Sequence, residues 1–479
     1  MTLKLYNSLT RSLEPFAPIH KGTGKDGKDE ARVYTCGPTV YAYQHIGNMR
    51  AFIFADTLGR TLRWNGYDLT HIINITDVGH LTSDADAGED KMEKAAAAQA
   101  KSIWDIAAHY TQAFRRDVRR LNITEPAEWT VATDYVPQMI EFAKAIEKDC
   151  YRLDGGLYFD VSRVPDYGSL ARAATDDGES RIDPVSGKRN PQDFAIWRAS
   201  PPGEQRQMEW DSPWGRGAPG WHLECSVMSH ARLGHPFDIH TGGIDHREIH
   251  HPNEIAQNQA YCACSDPGAR IWMHNNFLVD RGGKMSKSTG QFLTLQVLVD
   301  AGVHPLAYRL MCLQAHYRSE LEFTWESLGA ALTRLKRLVG TVEKLRERFD
   351  AEPRGSLETP EVDEAKAAVG DDLNTARALV LLEQVAGGKG HAGDRFTAVR
   401  KIDRALGLRL AMVTREELRL RPANAAIDEA VIEARLAERR EARAAKDFAR
   451  SDAIRDELAA SGVEVMDGDA LGWDWRLDL

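Results

Sequence analysis

Cysteine is scarce in this chain, with six residues in 479. That is too few for a disulfide scaffold, and in a reducing compartment such cysteines are expected as free thiols or metal ligands. Long apolar runs are also missing. No stretch of about 18 hydrophobic residues occurs, so no membrane span and no membrane partner are expected, in line with a mean hydropathy of −0.44. The opening MTLKLYNSLTR lacks the apolar centre of a secretory signal, which predicts a cytoplasmic protein. Positive charge is not in excess: 61 Lys and Arg against 71 Asp and Glu leave a net charge of −10. Any nucleic-acid contact must therefore use a local basic surface. No internal repeat is found, which excludes a solenoid. A chain of this length predicts about three domains, each able to bury a core.

The N-terminal third has an α/β pattern. Arg32 to Thr35 is a short β-prone run, and Gly37-Pro38 turns the chain. Phe52, Ala55, Leu58 and Leu62 then fall at helical spacing within a helix from about Met49 to Trp64. Leu69 to Ile75 (LTHIINI) predicts the next buried strand, and strand, helix, strand in this order implies a parallel sheet. Residues 88 to 121 are Ala-rich and predict a helix. Asp176 to Pro219, rich in Gly, Pro, Ser and Trp, predicts ordered loops. From about Thr324 the pattern becomes long amphipathic helices, with a break at Ala351 to Pro360. The last segment, about Asp428 to Leu479, predicts a charged helix followed by a short tryptophan-containing tail.

Two short motifs suit phosphate chemistry. His45-Ile46-Gly47-Asn48 stands where a strand and turn lead into a helix, whose N-terminus offers N–H groups and positive potential to anions. Gly47 lacks a side chain, so a planar base can approach the backbone, and His45 can donate to a phosphate oxygen. The plainer alternative makes Asn48 the N-cap and His45 a surface residue. Lys284-Met285-Ser286-Lys287-Ser288, preceded by Arg281-Gly282-Gly283, places two lysines three apart on a glycine-rich loop, where they can neutralise a leaving pyrophosphate. A lysine-bearing surface loop is the alternative there.

A third constellation is scattered. Cys36, Cys225, His250 and Glu254 offer thiolate, imidazole and carboxylate, the donors that close a tetrahedron on Zn2+. His250 and Glu254 share a face if their stretch is helical. Without a common site, the cysteines are small buried hydrophobes and His250 and Glu254 an exposed pair. Cys262 and Cys264, flanking one alanine, and the solitary Cys150 and Cys312 are read as packing residues with no chemistry.

HIGN followed by KMSKS resembles the paired signature of class I aminoacyl-tRNA synthetases, with Asn48 where a second histidine is usual. TCGPTVY, NITD, YGSLA, KRNPQDFAIW, SPWGRGAPGWHLECS, FDIHTGGIDHREIHHPNEIAQ, GDDLNTARAL and AKDFARSDAIRDEL are similar to the cysteinyl-tRNA synthetase family in particular, in its order and over nearly the whole chain. The resemblance implies an α/β fold: a Rossmann-type parallel-sheet catalytic domain over residues 1–323 with an inserted connective region at about 115–215. A helical bundle over 324–425 and a small α/β anticodon-binding domain over 426–479 would follow. It also implies ATP-dependent ligation of L-cysteine to tRNA(Cys) through a cysteinyl-adenylate, Mg2+ accompanying ATP, and a monomer. One Zn2+ per chain, on Cys36, Cys225, His250 and Glu254, would bind the cysteine thiolate.

The same resemblance makes His45, Asn48, Lys284 and Lys287 catalytic, and His45, Gly47, Asn48, Gly242, Gly243, Asp245 and Lys287 ATP-binding. Trp221 would close over the substrate, with a buried core aromatic as its alternative. Serine differs from cysteine by one atom, which packing alone discriminates poorly. Zinc prefers the thiolate, so no editing site is expected. The family's HHENE is here His250-His251-Pro252-Asn253-Glu254, where Pro252 fits only in a first helical turn. His246 and Glu248 are competing candidate ligands. Gly79 to Gly88 is an insertion, read as a solvated loop. Arg435, Arg439, Arg440, Arg443, Lys446 and Arg450 either contact tRNA phosphates or form a solvated helix. Trp473 and Trp475 either stack on anticodon bases or pack the terminal domain. The rival readings are a cysteine ligase of mycothiol synthesis and an inactive synthetase-like RNA-binding protein.

Overall fold

Five parallel strands form the centre of the molecule: β1 (Glu30–Thr35), β2 (Asp68–Ile75), β3 (Glu128–Val131), β4 (Phe237–Gly243) and β5 (Ala269–Asn275). Their spatial order is β5-β4-β1-β2-β3, and Val33 pairs with His71 on one side and Ile239 on the other. β4 is buried almost throughout, as expected for a strand covered by helices on both faces. The chain runs β1 to β3 outward in one direction, then returns to lay β4 on the opposite side of β1. Such a reversal opens a crevice at the carboxyl ends of the two strands, the usual ligand position in an open parallel sheet. The computed structural model describes residues 2–78, 92, 95, 96, 99, 101–171, 187–201, 203, 206–279, 293–351, 359–477 and 479. Arg281 to Ser288, with Lys284 and Lys287, and the Gly79 to Gly88 insertion lie outside the described residues.

Helix α1 (Ile46–Trp64) follows β1 and buries Phe52, Ala55, Leu58 and Leu62, the face read from the sequence. Within the Ala-rich stretch a helix runs Ile103–Arg120, started by Ser102, whose hydroxyl accepts from Asp105 N. The loop expectation for Asp176 to Pro219 fails in part. Phe194–Ala199 and Gly217–Pro219 are strands of a four-stranded antiparallel sheet with Cys150–Leu153 and Gly156–Phe159. Phe194–Ala199 is buried on both faces, so it lacks the alternation that marks a half-exposed strand, and its Gly- and Pro-rich surroundings hid it.

The helices Trp325–Ala351, Pro360–Val369, Thr375–Gly387 and Ala392–Leu406 pack into the C-terminal bundle. Beyond it, the expected single helix and tail are instead two helices, Glu429–Ala444 and Phe448–Ala460, and a hairpin of Val463–Val465 with Trp473–Trp475. Lys446, with φ of 58°, breaks the helix, and Asp447 accepts from Arg450 N to start the next. Most of the basic residues face acids within the same unit: Arg439 and Arg443 pair with Asp467, and Arg435 and Arg450 with Glu438 and Glu457. Arg440 and Lys446 are exposed. Trp473 and Trp475 are buried, and Arg419 lies over the Trp473 ring. The packing alternative is thus the one observed for both. Cys262 and Cys264, read as inert packing residues, are joined in a disulfide. No helix among the described residues is long and apolar enough to cross a membrane.

A buried ion pair within the sheet domain carries a hydrogen bond across to the bundle. Arg309, in the helix Pro305–Leu313, donates through Nη2 to Asp56 of α1 at 2.6 Å and through Nε to Leu406 O at 2.7 Å. Asp56 also accepts from Arg60 Nε and Thr124 N. Desolvation disfavours both charges. For Asp56 the two guanidiniums outweigh it and hold the carboxyl far below its ordinary 3.8; Arg309 is drawn down from a value so high that it stays charged. Removing one partner strands the other charge, so Asp56→Ala is expected to lower stability by about 3–5 kcal/mol in urea unfolding at neutral pH. Because the folded pKa is depressed, the pair's contribution is present above the ordinary carboxylate pKa and is lost as pH falls below it. The wild type should lose stability on acidification more steeply than the variant.

Candidate active site

Two turns, at the carboxyl ends of β1 and β4, converge on the crevice beside the end of β2. The first leaves β1 through Cys36, Gly37 and Pro38. A Cβ on Gly37 would stand 1.5 Å from Asn74 O, so only glycine lets the chain seat against the end of β2, where Gly37 N donates to Asn74 Oδ1 at 2.7 Å. The turn then enters α1. His45 is the N-cap: its Nδ1 accepts from Asn48 N at 3.2 Å, which corrects the alternative that gave this role to Asn48. Burial pulls the His45 pKa down, with the charge of Asp245 opposing, so the imidazole is neutral at physiological pH. Asn48 Nδ2 donates to Gln44 Oε1 at 2.7 Å, and Gly47 lies against the His45 ring. Beside this terminus runs the chain that follows the KMSKS segment, with Ile46 N donating to Leu293 O at 2.8 Å and His45 bridged to Thr294.

Behind the first turn the four scattered candidates meet. Helix α2 (Trp221–Leu233) carries Cys225, and helix α3 (His250–Cys262) carries His250 and Glu254 on one face. Pro252 stands in the first turn of α3, where its missing N–H costs nothing. The ligand atoms of Cys36, Cys225, His250 and Glu254 all lie within 4.8 Å of one another, and all four residues are buried. Cys36 Sγ is 3.9 Å from Cys225 Sγ and 3.9 Å from Glu254 Oε1, and His250 Nε2 is 2.9 Å from Glu254 Oε1. Donor types and spacing suit a thiophilic divalent ion such as Zn2+.

The electrostatics of the cluster separate the two thiols. Cys225 is drawn down to about 6, chiefly by the Cys36 thiol donating to it, while desolvation and the neighbouring Cys225 push Cys36 well up. Burial would raise Glu254, but His240 and His250 hold it at about 2.

The sequence reading missed the supporting histidines. A second set, Cys36, His240, His251 and Glu254, also lies within ligand distance. His240 Nε2 is 2.9 Å from Glu254 Oε2, His222 Nδ1 is 3.0 Å from His250 Nδ1, and His251 Nδ1 is 2.7 Å from His274 Nε2. Such contacts orient ligands and fix tautomers. The signal was available as four histidines between His240 and His251. Of the competitors named from sequence, Glu248 pairs with Arg247 and His246 Nδ1 accepts from Gly243 N; neither belongs to the two sets.

The TGGID turn ends β4 beside this cluster. A Cβ on Gly242 would stand 2.7 Å from His251 Cε1, so the glycine permits the backbone and the histidine to occupy one wall. Asp245 exposes its side chain, and its charge acts on both His45 and Cys36. Trp221 is half-buried, with its ring centroid 4.4 Å from that of His250 and 6.2 Å from that of His246. It thus lines the site rather than the core.

Comparison with known proteins agrees with this geometry. Residues 24–333 match the family described as the class I (C) tRNA synthetase catalytic domain, and residues 429–476 the cysteinyl-tRNA ligase anticodon binding domain. A cysteine–tRNA ligase of Novosphingobium aromaticivorans is 66% identical, covering 99% of this chain and 97% of the relative. Another, of Zymomonas mobilis, is 51% identical over 98% and 97%. The fold is shared with a LeuRS of Agrobacterium radiobacter solved in a ternary complex with tRNA, at a TM-score of 0.54 and 13% identity over 84% of this chain and 87% of that one. A parallel sheet with its site at the switch point, both family matches and full-length relatives together mean that this chain belongs to the cysteinyl-tRNA synthetase family of class I aminoacyl-tRNA synthetases.

Proposed function

We propose that the chain activates L-cysteine with ATP and transfers it to tRNA(Cys), as a cytoplasmic monomer, with zinc held by Cys36, Cys225, His250 and Glu254. The observation that carries this reading is the buried pair of thiols, imidazole and carboxylate set at the sheet's switch point beside the N-terminus of α1. Bound there, zinc supplies a Lewis acid that prefers sulfur to oxygen, and so selects the substrate thiolate over the serine hydroxyl. His222 and His240 keep the His250 ring and the Glu254 carboxylate in place, and Trp221 walls the substrate against His250.

The N-terminus of α1 and the neutral His45 hold the triphosphate. An asparagine amide has two N–H donors; one of Asn48 goes to Gln44 and the second serves a phosphate oxygen. Gly242, Gly243 and Asp245 receive the adenosine end. A cysteine carboxylate oxygen attacks the α-phosphorus, the bond to the β-phosphate breaks, and pyrophosphate leaves with its charge neutralised by Lys284 and Lys287; Mg2+ accompanying ATP would add to that neutralisation. Positioning and charge neutralisation suffice for such a step. The terminal ribose hydroxyl of the tRNA then attacks the cysteinyl carbonyl and AMP departs. Residues 1–323 form the catalytic domain, 324–425 the bundle and 426–479 the anticodon-binding domain, where the exposed Arg440 and Lys446 meet phosphate.

Cysteine-dependent ATP–pyrophosphate exchange followed by transfer to tRNA is the direct test. Absence of exchange sinks the enzyme reading, and transfer only to an amino sugar sinks the tRNA reading. Replacing Lys287 with Ala should lower the exchange rate about 100-fold or more with little change in cysteine affinity, since a donor to the departing charge acts in the transition state. Cys225→Ser should lose most bound zinc by elemental analysis and weaken cysteine binding far more than serine binding. A variant that kept full zinc and full cysteine affinity would refute the ligand assignment.

A further inference from the structure

Cys262 and Cys264 take no part in the chemistry above. They sit at the far end of α3 from His250, where Ala263 adopts a left-handed conformation, φ 51°, and the two sulfurs are bonded across this single residue. A disulfide stabilises by constraining the unfolded chain, and the effect shrinks with the size of the closed loop. One spanning a single residue therefore contributes little as a staple. Cys264 is exposed and Cys262 partly so, and exposed disulfides are the exchangeable ones. Held one residue apart, the reduced thiols also cannot separate far, so the second closes rapidly on the first.

Two neighbouring features point to a partner for exchange. A ring nitrogen of His235 lies within 4.8 Å of both sulfurs, and His235 Nε2 is buried without a hydrogen bond; its nearest acid is Asp266, at 3.7 Å. Cys264 also borders a groove of about 370 Å³ lined by Lys148, Arg163, Asp149, Asp166 and Ser265. Lys148 and Arg163 are exposed, and among the described residues neither forms an ion pair. Two cations and two carboxylates in the wall of the groove that Cys264 borders match a small zwitterion carrying both ammonium and carboxylate groups.

We propose that Cys262 and Cys264 are a reversible dithiol–disulfide couple that exchanges with small amino-acid disulfides docked in this groove. In the oxidising direction His235 accepts the Cys264 proton, and the Cys264 thiolate attacks one sulfur of the small disulfide. A protein–ligand S–S bond forms, and one thiolate leaves and takes up that proton. The Cys262 thiolate, its own proton released to water, then attacks the Cys264 sulfur and expels the second thiolate, which is protonated from water. Two electrons pass from the protein to the ligand: protein dithiol plus one small disulfide gives protein disulfide plus two small thiols. Reduction by two thiols is the reverse.

The test reduces the full-length protein, removes the reductant and follows oxidation by intact-mass spectrometry with cystine, glutathione disulfide, cystamine (no carboxylate) or dithiodipropionate (no ammonium). Cystine should react about tenfold faster than either singly charged type, and the double variant Lys148→Ala, Arg163→Ala should erase its lead over cystamine, as expected for charge-steered docking. Glutathione disulfide reacting like cystine assigns the site to amino-acid disulfides at large; reacting slowly, it narrows the ligand to cystine. Cys262→Ser should stall as a mixed disulfide on Cys264, and Cys264→Ser should not react in the groove. Equal rates for all four reagents, an unchanged rate in Cys264→Ser, or retention of a second zinc on Cys262, Cys264 and His235 that blocks exchange would each overturn the proposal. Pyrophosphate exchange by Cys264→Ser, expected at the wild-type rate, confirms that the variant is folded.

Discussion

A buried carboxylate organises this molecule. Glu254 is 1% exposed, and an isolated ionised carboxylate at such depth would cost many kcal/mol. It is tolerated because His240 and His250 each stand 2.9 Å away, with the thiols of Cys36 and Cys225 completing the enclosure. Each partner comes from a different element: Cys36 from the turn after β1, Cys225 from α2, His240 from β4, His250 from α3. The helix register, the strand order and the tight turn at Gly37 must all be right together, since losing one partner leaves a charge stranded. The same enclosure gives a thiophilic ion a set of donors already in place.

Stability and function meet a second time at Asp56 and Arg309. α1 begins at the crevice and, about three turns later, presents Asp56 to Arg309. Arg309 and the carbonyl of Leu406 then bind that helix to the elements that lead toward the tRNA-binding end. The N-terminus of α1 at the crevice is thus held from behind by a charge-assisted contact, which fixes the direction of its N–H groups. In the terminal unit, by contrast, most arginines are committed to internal acids, while Arg440 and Lys446 are exposed.

Much of this could be read from the chain. The first βαβ unit followed from hydrophobic spacing, and the buried face of α1 was correct residue by residue. Cys36, Cys225, His250 and Glu254 were named on donor chemistry and family resemblance, and the structure brings them together. The strand Phe194–Ala199 was not legible because burial on both faces removes the alternation that reports a strand. The second helix and hairpin of the terminal unit escaped because charged residues continue without interruption through the turn at Lys446. The supporting histidines escaped for a different reason: the histidine-rich run from His240 to His251 is visible in the sequence, but only packing reveals that His240 meets Glu254 and that the distant His222 and His274 meet His250 and His251.

Sequence alone settled which chemical groups are present and in which local frames: the turn before α1, the i,i+4 pair on α3, the proline confined to its first turn. These depend on backbone preferences and short-range spacing. Tertiary structure decided which groups meet. It placed β4 beside β1, so that residues more than two hundred positions apart share one crevice, and it made His45 the helix cap. It also buried Trp473 and Trp475 against their own domain and joined Cys262 to Cys264. Long-range contacts depend on how surfaces fit once the sheet is assembled, and no local pattern of residues encodes that fit by itself.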